Sequence, residues 1–145
     1  MNYIFAIMGA ITVGLCVALE PVINSGLGKI ISPRLATMHS FIVGTLLIVL
    51  INLFSGGFKQ YGLIVKAPPY LWIGGILGLL IVLLGAIITP QLGAASTITL
   101  IVGAQIICGI VIDSLGLFGV QKVPLDLQRI IGAVLILIAV KLIIR

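Results

Sequence analysis

Residues 3–28 read YIFAIMGAITVGLCVALEPVINSGLG, an apolar run whose only charge is Glu20. In a helix rising ~1.5 Å per residue, Glu20 would lie roughly 13 Å inside the next charge, Lys29. A carboxylate deep in a hydrocarbon layer ~30 Å thick costs on the order of 3 kcal/mol or more. Such residues usually face a bundle interior or a water-filled cavity. Two interpretations stay open: Glu20 is a functional site, or it is structural, protonated or paired with Lys29 or His39 beside a kink.

The composition of the whole chain agrees with this first stretch. Hydrophobic residues make up 61% and charged residues 8%, with a mean hydropathy of +1.42, which excludes an ordinary soluble domain. Helices satisfy their own backbone groups in lipid, so we predict one all-α integral membrane domain over residues 1–145. The net charge of +5 comes from basic residues placed singly at segment ends. Their expected partners are lipid headgroups rather than nucleic acid.

Five membrane-spanning helices account for nearly all of the sequence. We predict them at about residues 3–28, 36–54, 70–89, 94–112 and 127–144. Pro21 removes a backbone donor inside the first helix and predicts a kink next to Glu20. Pro90 and Gly93 predict a tight, uncharged turn between the third and fourth helices. We treat these three residues as candidate hinges. The N-terminus has no basic stretch before its apolar run, so a cleaved signal peptide is not expected.

The basic residues are balanced across the predicted membrane. One side carries Lys59, Lys66, Lys122 and Arg129, and the other carries Lys29, Arg34, Lys141 and Arg145. The positive-inside rule therefore leaves the orientation undecided. A balanced count is typical of a dual-topology protein that pairs as an antiparallel dimer of ten helices with inverted-repeat symmetry. The alternative is that a small error in the helix boundaries produces the balance by accident.

Small residues recur at helical spacing in two of the segments. Ala10, Gly14 and Ala18 form a stripe on the first helix, and Gly74 and Gly78 form a GxxxG pattern on the third. In membranes such patterns usually indicate close contact between helices and no ligand role.

Polar residues inside the spans form the candidate substrate- or proton-binding site. Cys16, Glu20 and Asn24 are spaced four apart, so they stack on one helix face, and Asn24 could donate a hydrogen bond to Glu20 or to its ligand. Gln105 needs a partner in lipid, and it either joins two helices or lines a cavity. Ser96 is a weaker candidate because serine can bond to its own helix backbone. We predict that His39 is an interfacial residue, a hydrogen-bonded residue or a proton relay. Asn52 and Asp113 lie near the predicted interfaces, where we expect them to be solvated or to cap helices.

Catalytic and metal-binding patterns do not appear in the sequence. Cys16 and Cys108 both fall inside apolar segments, which argues against a structural disulfide, and no metal-ligand spacing exists. There is no paired carboxylate and no nucleophile with a base. We therefore expect no enzyme activity, no cofactor and no metal.

Several motifs resemble those of the YdcZ-type family in the drug/metabolite transporter (DMT) superfamily. They cover nearly the whole chain in the same order: EPVINSGLG at 20–28, PQLGAAST at 90–97, VGAQ at 102–105, DSLGLFG at 113–119, Pro124-Leu125, and RIIG at 129–132. The resemblance implies a five-helix, multi-pass protein of a prokaryotic inner membrane that acts as a half-transporter assembling in pairs. The family often has glutamine at the position of Glu20, which leaves two alternatives open: the site needs a titrating carboxylate, or it needs only a polar, amide-like group.

Taken together, these features predict a small secondary transporter for a metabolite or a cationic, amphipathic compound. Glu20 would hold either a proton or the substrate, and this mutual exclusion gives proton-coupled antiport. The alternatives are a proton-independent facilitator of a neutral metabolite and a non-transporting scaffold or regulatory subunit. The substrate, the direction of transport and the choice between a homodimer and a heterodimer with a related subunit stay open.

Overall fold

Helices make up most of the chain in the computed structural model, which describes residues 3–144, and no strand occurs in that range. The helices are α1 (Tyr3–Ile30), α2 (Pro33–Ser55), α3 (Phe58–Tyr61), α4 (Gly74–Leu92), α5 (Ala94–Leu115) and α6 (Leu127–Ile143), with 3-10 turns at Gly62–Lys66, Pro69–Ile73 and Leu117–Gly119. The predicted all-α architecture is confirmed. Arg145, counted above among the basic residues, lies outside the described residues.

Within residues 3–144, four helical stretches are long and apolar enough to cross a membrane. They are Tyr3–Ile30, Pro33–Ser55, Pro69–Leu92 and Ala94–Leu115. The third begins with the 3-10 turn before α4. The last helix, α6, has 17 residues.

Contacts divide the chain into two compact units, Met1–Gln91 and Leu92–Arg145. In the first unit α1 packs along α2. The Gly74–Leu92 helix meets α1 where Gly85 faces Pro21, since a methyl group on Gly85 would lie 3.2 Å from the Cβ of Pro21. It meets α2 where Gly78 faces Phe41, with a corresponding distance of 3.6 Å to the ring.

The connection between α1 and α2 is shorter than the sequence pattern suggests. α1 continues through the buried Pro21 as far as Ile30. α2 begins at Pro33, three residues before the predicted start at 36, because Ser32 caps it. The Ser32 hydroxyl accepts a hydrogen bond from the Leu35 amide at 3.2 Å, and proline is well tolerated in the first helical turn. Only two residues therefore separate the two helices.

The connection between α4 and α5 also differs from the prediction. Pro90 lies inside α4, which runs on to Leu92, and Gly93 alone makes the turn with a positive φ of 79°. A proline this close to a helix end removes a single backbone bond. The turn is therefore one residue rather than four, and a glycine occupies the position that needs the positive φ.

In the second unit α5 packs against α6. The two helices approach closely at Gly103, where an added methyl group would lie 2.9 Å from the Cγ2 of Val140. Asp126 caps α6 by accepting a hydrogen bond from the Arg129 amide at 2.8 Å. The Arg129 side chain forms an ion pair with Asp113 at 3.2 Å, so Asp113 is neither a helix cap nor merely solvated. This pair joins the end of α5 to the start of α6.

Candidate functional site

One face of α1 and the adjoining face of α2 line an open cavity of about 680 Å³. Its polar lining comes from Cys16, Glu20 and Asn24 on α1 and from His39 and Ser40 on α2. The three α1 residues stack on one face because they are four positions apart in a continuous helix. Three of the candidate residues identified from sequence, Glu20, Asn24 and His39, thus lie around one cavity.

Asn24 is held by α2 rather than by Glu20. The Ser40 hydroxyl donates a hydrogen bond to the Asn24 Oδ1 at 2.6 Å. Asn24 is only 3% exposed, and its Nδ2 is buried without a partner among residues 3–144. From the sequence, the expected acceptor for the Asn24 amide was Glu20 or its ligand. The packing of α2 on α1 instead gives the amide oxygen a donor in Ser40, and the amide nitrogen has no acceptor within residues 3–144. One amide donor therefore remains unsatisfied next to the cavity.

Glu20 borders two cavities at once. Besides the larger cavity it lines a smaller one of about 290 Å³, which also includes Val82 of α4. Ser40 and Gly44 line both spaces as well. The two cavities therefore adjoin at Glu20, Ser40 and Gly44, and we call these three the partition residues.

No described residue neutralises the Glu20 carboxylate. Within residues 3–144 it has neither an ion pair nor a hydrogen bond, and the one ion pair in that range joins Arg129 to Asp113. The interpretation in which Glu20 pairs with Lys29 or His39 is thus not the arrangement observed. A half-buried carboxylate bordering two cavities, with a hydroxyl and an amide close by, can bind a proton or a cation.

The remaining candidates lie elsewhere. Ser96 is half-buried and Gln105 is exposed, and both belong to α5 in the second unit. Neither forms a hydrogen bond within the described part of the chain, so whether they contribute to a site stays a prediction. The hinge roles assigned to Pro21, Pro90 and Gly93 also stay predictions.

The small-residue patterns are only partly covered by neighbouring helices. On α1, Ala10 and Gly14 are exposed, Ala18 is half-buried, and a methyl group on Gly14 would meet open space. Gly74 has no described neighbour within 4 Å, whereas Gly78 contacts Phe41. The stripe on α1 is therefore available to lipid or to another protein surface.

Ser40 is the residue of the site that the sequence analysis missed. A signal for it was present, because Asn24 and Ser40 lie at nearly equal distances from the turn between α1 and α2. In an antiparallel helix pair such residues face each other at one depth, and a buried amide needs a partner. The ion pair between Asp113 and Arg129 was missed as well. It depends on how the chain returns between α5 and α6, which helical spacing does not reveal.

The fold is that of a helical protein with several helices long and apolar enough to cross a membrane, and an acidic residue lines a cavity between two of them. Residues 5–142 match a family model, DMT_YdcZ, with the description "Putative inner membrane exporter, YdcZ". The chain belongs to this family, which confirms the resemblance seen in its motifs. The family is one of membrane transporters rather than enzymes. No curated protein and no solved structure matches the chain.

Proposed function

We propose that this protein is a small secondary transporter that moves a metabolite or a cationic, amphipathic compound across the inner membrane, with the Glu20 cavity as its binding site. The observation that carries the proposal is that Glu20 lines two cavities without a described ionic partner. The other two acidic residues have structural partners, Asp113 in an ion pair and Asp126 at a helix start. An unpaired carboxylate inside a membrane helix is costly, and a proton or a bound cation removes that cost.

The coupling mechanism follows from competition at one carboxylate. A proton and a cationic substrate cannot both neutralise Glu20, so entry of one releases the other. Asn24 and Ser40, joined by their hydrogen bond, would orient a polar group of the substrate. His39 lines the same cavity and is exposed, so it would lie on the route to solvent.

The assembly we propose has five spans in each subunit and two antiparallel subunits. With 17 residues at ~1.5 Å each, α6 would be ~25 Å long, close to the ~30 Å of a bilayer core. The exposed stripe at Ala10 and Gly14 would allow close approach of a second copy. Exposed Gln105, halfway along α5, would find a hydrogen-bond partner on the second subunit.

The decisive experiment is transport by the purified protein in liposomes, read as solid-supported-membrane currents over a panel of cationic, zwitterionic, anionic and neutral metabolites. Glu20→Gln should reduce the proton-linked current to the level of empty liposomes, because an amide cannot exchange a proton. Asp126→Asn is the matched control, since it makes the same chemical change away from the cavity and asparagine also caps a helix, and it should keep its current. Undiminished proton coupling in Glu20→Gln would refute the antiport mechanism.

A second candidate is a proton-independent facilitator of a neutral metabolite. It is favoured by the neutral polar groups around Glu20, namely Cys16, Asn24 and Ser40. In that case the flux of a neutral metabolite should be indifferent to a pH gradient and should survive in Glu20→Gln. Silence across the whole panel, with folding verified, would favour the scaffold or regulatory alternative.

A further inference from the structure

A third cavity, separate from the partition, forms a groove of about 580 Å³ between α2 and α4. Along α2 it runs from Arg34 to Leu46, and Leu79 and Leu83 line it from α4. Its walls are almost entirely apolar. The hydroxyl of Thr37, one of the few polar groups there, donates to the Pro33 carbonyl at 2.8 Å and so is already satisfied. The groove therefore suits a hydrocarbon chain.

The length of the groove corresponds to one leaflet of a bilayer. From Arg34 to Leu46 the helix advances twelve positions, which is ~18 Å at ~1.5 Å per residue. Half of a hydrocarbon core ~30 Å thick is ~15 Å. Arg34 lies in the first turn of α2, at the end of a candidate membrane span, so the groove begins at the membrane surface and continues to about the midplane.

The charge at the surface end of the groove selects an anion. Arg34 is its only charged lining residue, and the one ion pair within residues 3–144 involves other residues. The start of α2 adds the partial positive charge of a helix N-terminus, and Lys29 is close by in sequence. An arginine guanidinium can donate two parallel hydrogen bonds to two oxygens of one phosphate group, a bidentate geometry.

We propose that this groove binds one anionic phospholipid, with its phosphate at Arg34 and one acyl chain lying along α2 towards Leu46. The lipid would lie beside the transport site, because Phe41 and Thr45 line both the groove and the smaller Glu20 cavity. A bound chain would support this shared wall from its outer side. The lipid site depends on groove geometry and charge, and it stands whether or not Glu20 transports a cation.

The test is native mass spectrometry of the purified protein in detergent, titrated with phosphatidylglycerol or with phosphatidylcholine carrying the same acyl chains. Phosphatidylglycerol should bind in preference. Arg34→Gln should weaken its binding about fivefold, the effect of losing one basic contact. Lys59→Gln is the control, since it removes a basic residue outside the groove and should change nothing.

The acyl-chain half of the site has its own matched pair of variants. Leu79→Trp fills the groove, whereas Leu80→Trp changes the neighbouring residue, which lies outside it. The two leucines are 45% and 46% exposed, so general surface effects are equal. Leu79→Trp should reduce phosphatidylglycerol binding, and Leu80→Trp should not. A circular dichroism spectrum and a size-exclusion profile verify that each variant is folded.

Three outcomes would overturn the proposal. Equal binding of the two phospholipids would show that no anionic headgroup is recognised. If phosphatidylglycerol bound equally well to Arg34→Gln and to Leu79→Trp, the lipid would belong to the non-specific shell of lipids around the protein. A Leu79→Trp variant that loses a dimer peak and keeps its lipid would assign the groove to a second copy of the chain.

Discussion

At the scale of single residues, the hydrogen bond between Asn24 and Ser40 is the most specific feature of the candidate site. It joins α1 to α2 across a cavity and leaves the Asn24 Nδ2 without a partner among the described residues. A buried polar group without a partner costs free energy, and such groups concentrate where a ligand or water completes the network. In the transport site that we propose, the pair would both stabilise the contact between α1 and α2 and orient the substrate.

We predict that Asn24 and Ser40 are energetically coupled. In a double-mutant cycle with Asn24→Ala and Ser40→Ala, the coupling should be about 0.6 kcal/mol and no more than about 1.7 kcal/mol, the range for hydrogen bonds between membrane helices. The measurement is reversible unfolding in detergent micelles. Ser96→Ala, which removes a hydroxyl without a described hydrogen bond, is the control and should show no coupling to Asn24→Ala. Additive effects of Asn24→Ala and Ser40→Ala would contradict the prediction.

The sequence alone was enough to select the face of α1 that carries Cys16, Glu20 and Asn24, because helical spacing determines which residues stack. It was not enough to find the partner of Asn24. That partner depends on the two-residue connection to α2, which sets the relative depth of the two helices. A polar residue in an apolar helix is thus easy to recognise, whereas its hydrogen bond is a property of two helices.

At the scale of helices, the contact between Gly85 and Pro21 sets how closely α4 approaches α1. Both residues are buried, and a methyl group on Gly85 would lie 3.2 Å from the Cβ and 3.4 Å from the Cγ of the proline ring. The ring is rigid and cannot turn aside. Because Pro21 follows Glu20 directly, this contact also positions the Glu20 backbone relative to α4.

We predict that Gly85→Leu destabilises the protein by about 1–3 kcal/mol, the usual cost of overpacking a tight contact. Gly75→Leu is the matched control on the same helix, where an added side chain meets open space. It should be neutral or slightly stabilising, since glycine is a poor helix former. Thermal unfolding of the two variants in the same detergent provides the comparison, and equal midpoints would show that the contact is not tight in solution.

Four of the five predicted apolar segments match stretches of residues 3–144 that are long and apolar enough to cross a membrane. Their approximate positions could be predicted because charges and prolines separate them in the sequence. The exact ends could not. Pro33 looked like part of a loop but begins α2, because Ser32 supplies a cap, and Pro90 looked like part of a turn but lies inside α4. Proline does not define a helix end by itself. In the first turn its missing N–H costs no helical hydrogen bond, and in the last turn it costs only one.

At the scale of the whole molecule, the balance of basic residues bears on how the protein inserts. The exposed Lys29 and Lys59 lie at opposite ends of the helix pair α1 and α2. In the antiparallel dimer that we propose, a given end faces one side of the membrane in one subunit and the opposite side in the other subunit. Helical spacing could not decide this point, because it describes each subunit by itself.

We predict that both ends are accessible from the cell exterior in part of the population. The test uses single cysteines at Lys29→Cys and Lys59→Cys, in a background carrying Cys16→Ser and Cys108→Ser, with a membrane-impermeant thiol reagent applied to intact cells. Each cysteine should be labelled partially. Labelling after lysis, which should be complete for both, is the control. Complete labelling of one position with none of the other would establish a single orientation and rule out the antiparallel pair.

The partition residues have a consequence for the size of what can pass. Among the described residues, only the three partition residues line both Glu20 cavities, and one of them, Gly44, has no side chain. Side-chain rotations take picoseconds to nanoseconds, whereas helix displacements take microseconds to milliseconds. A particle as small as water would therefore cross at the rate of a turning side chain, and a bulky solute only at the rate of moving helices. The partition would act as a kinetic sieve, in which turnover speed is decided by cargo diameter before charge is considered.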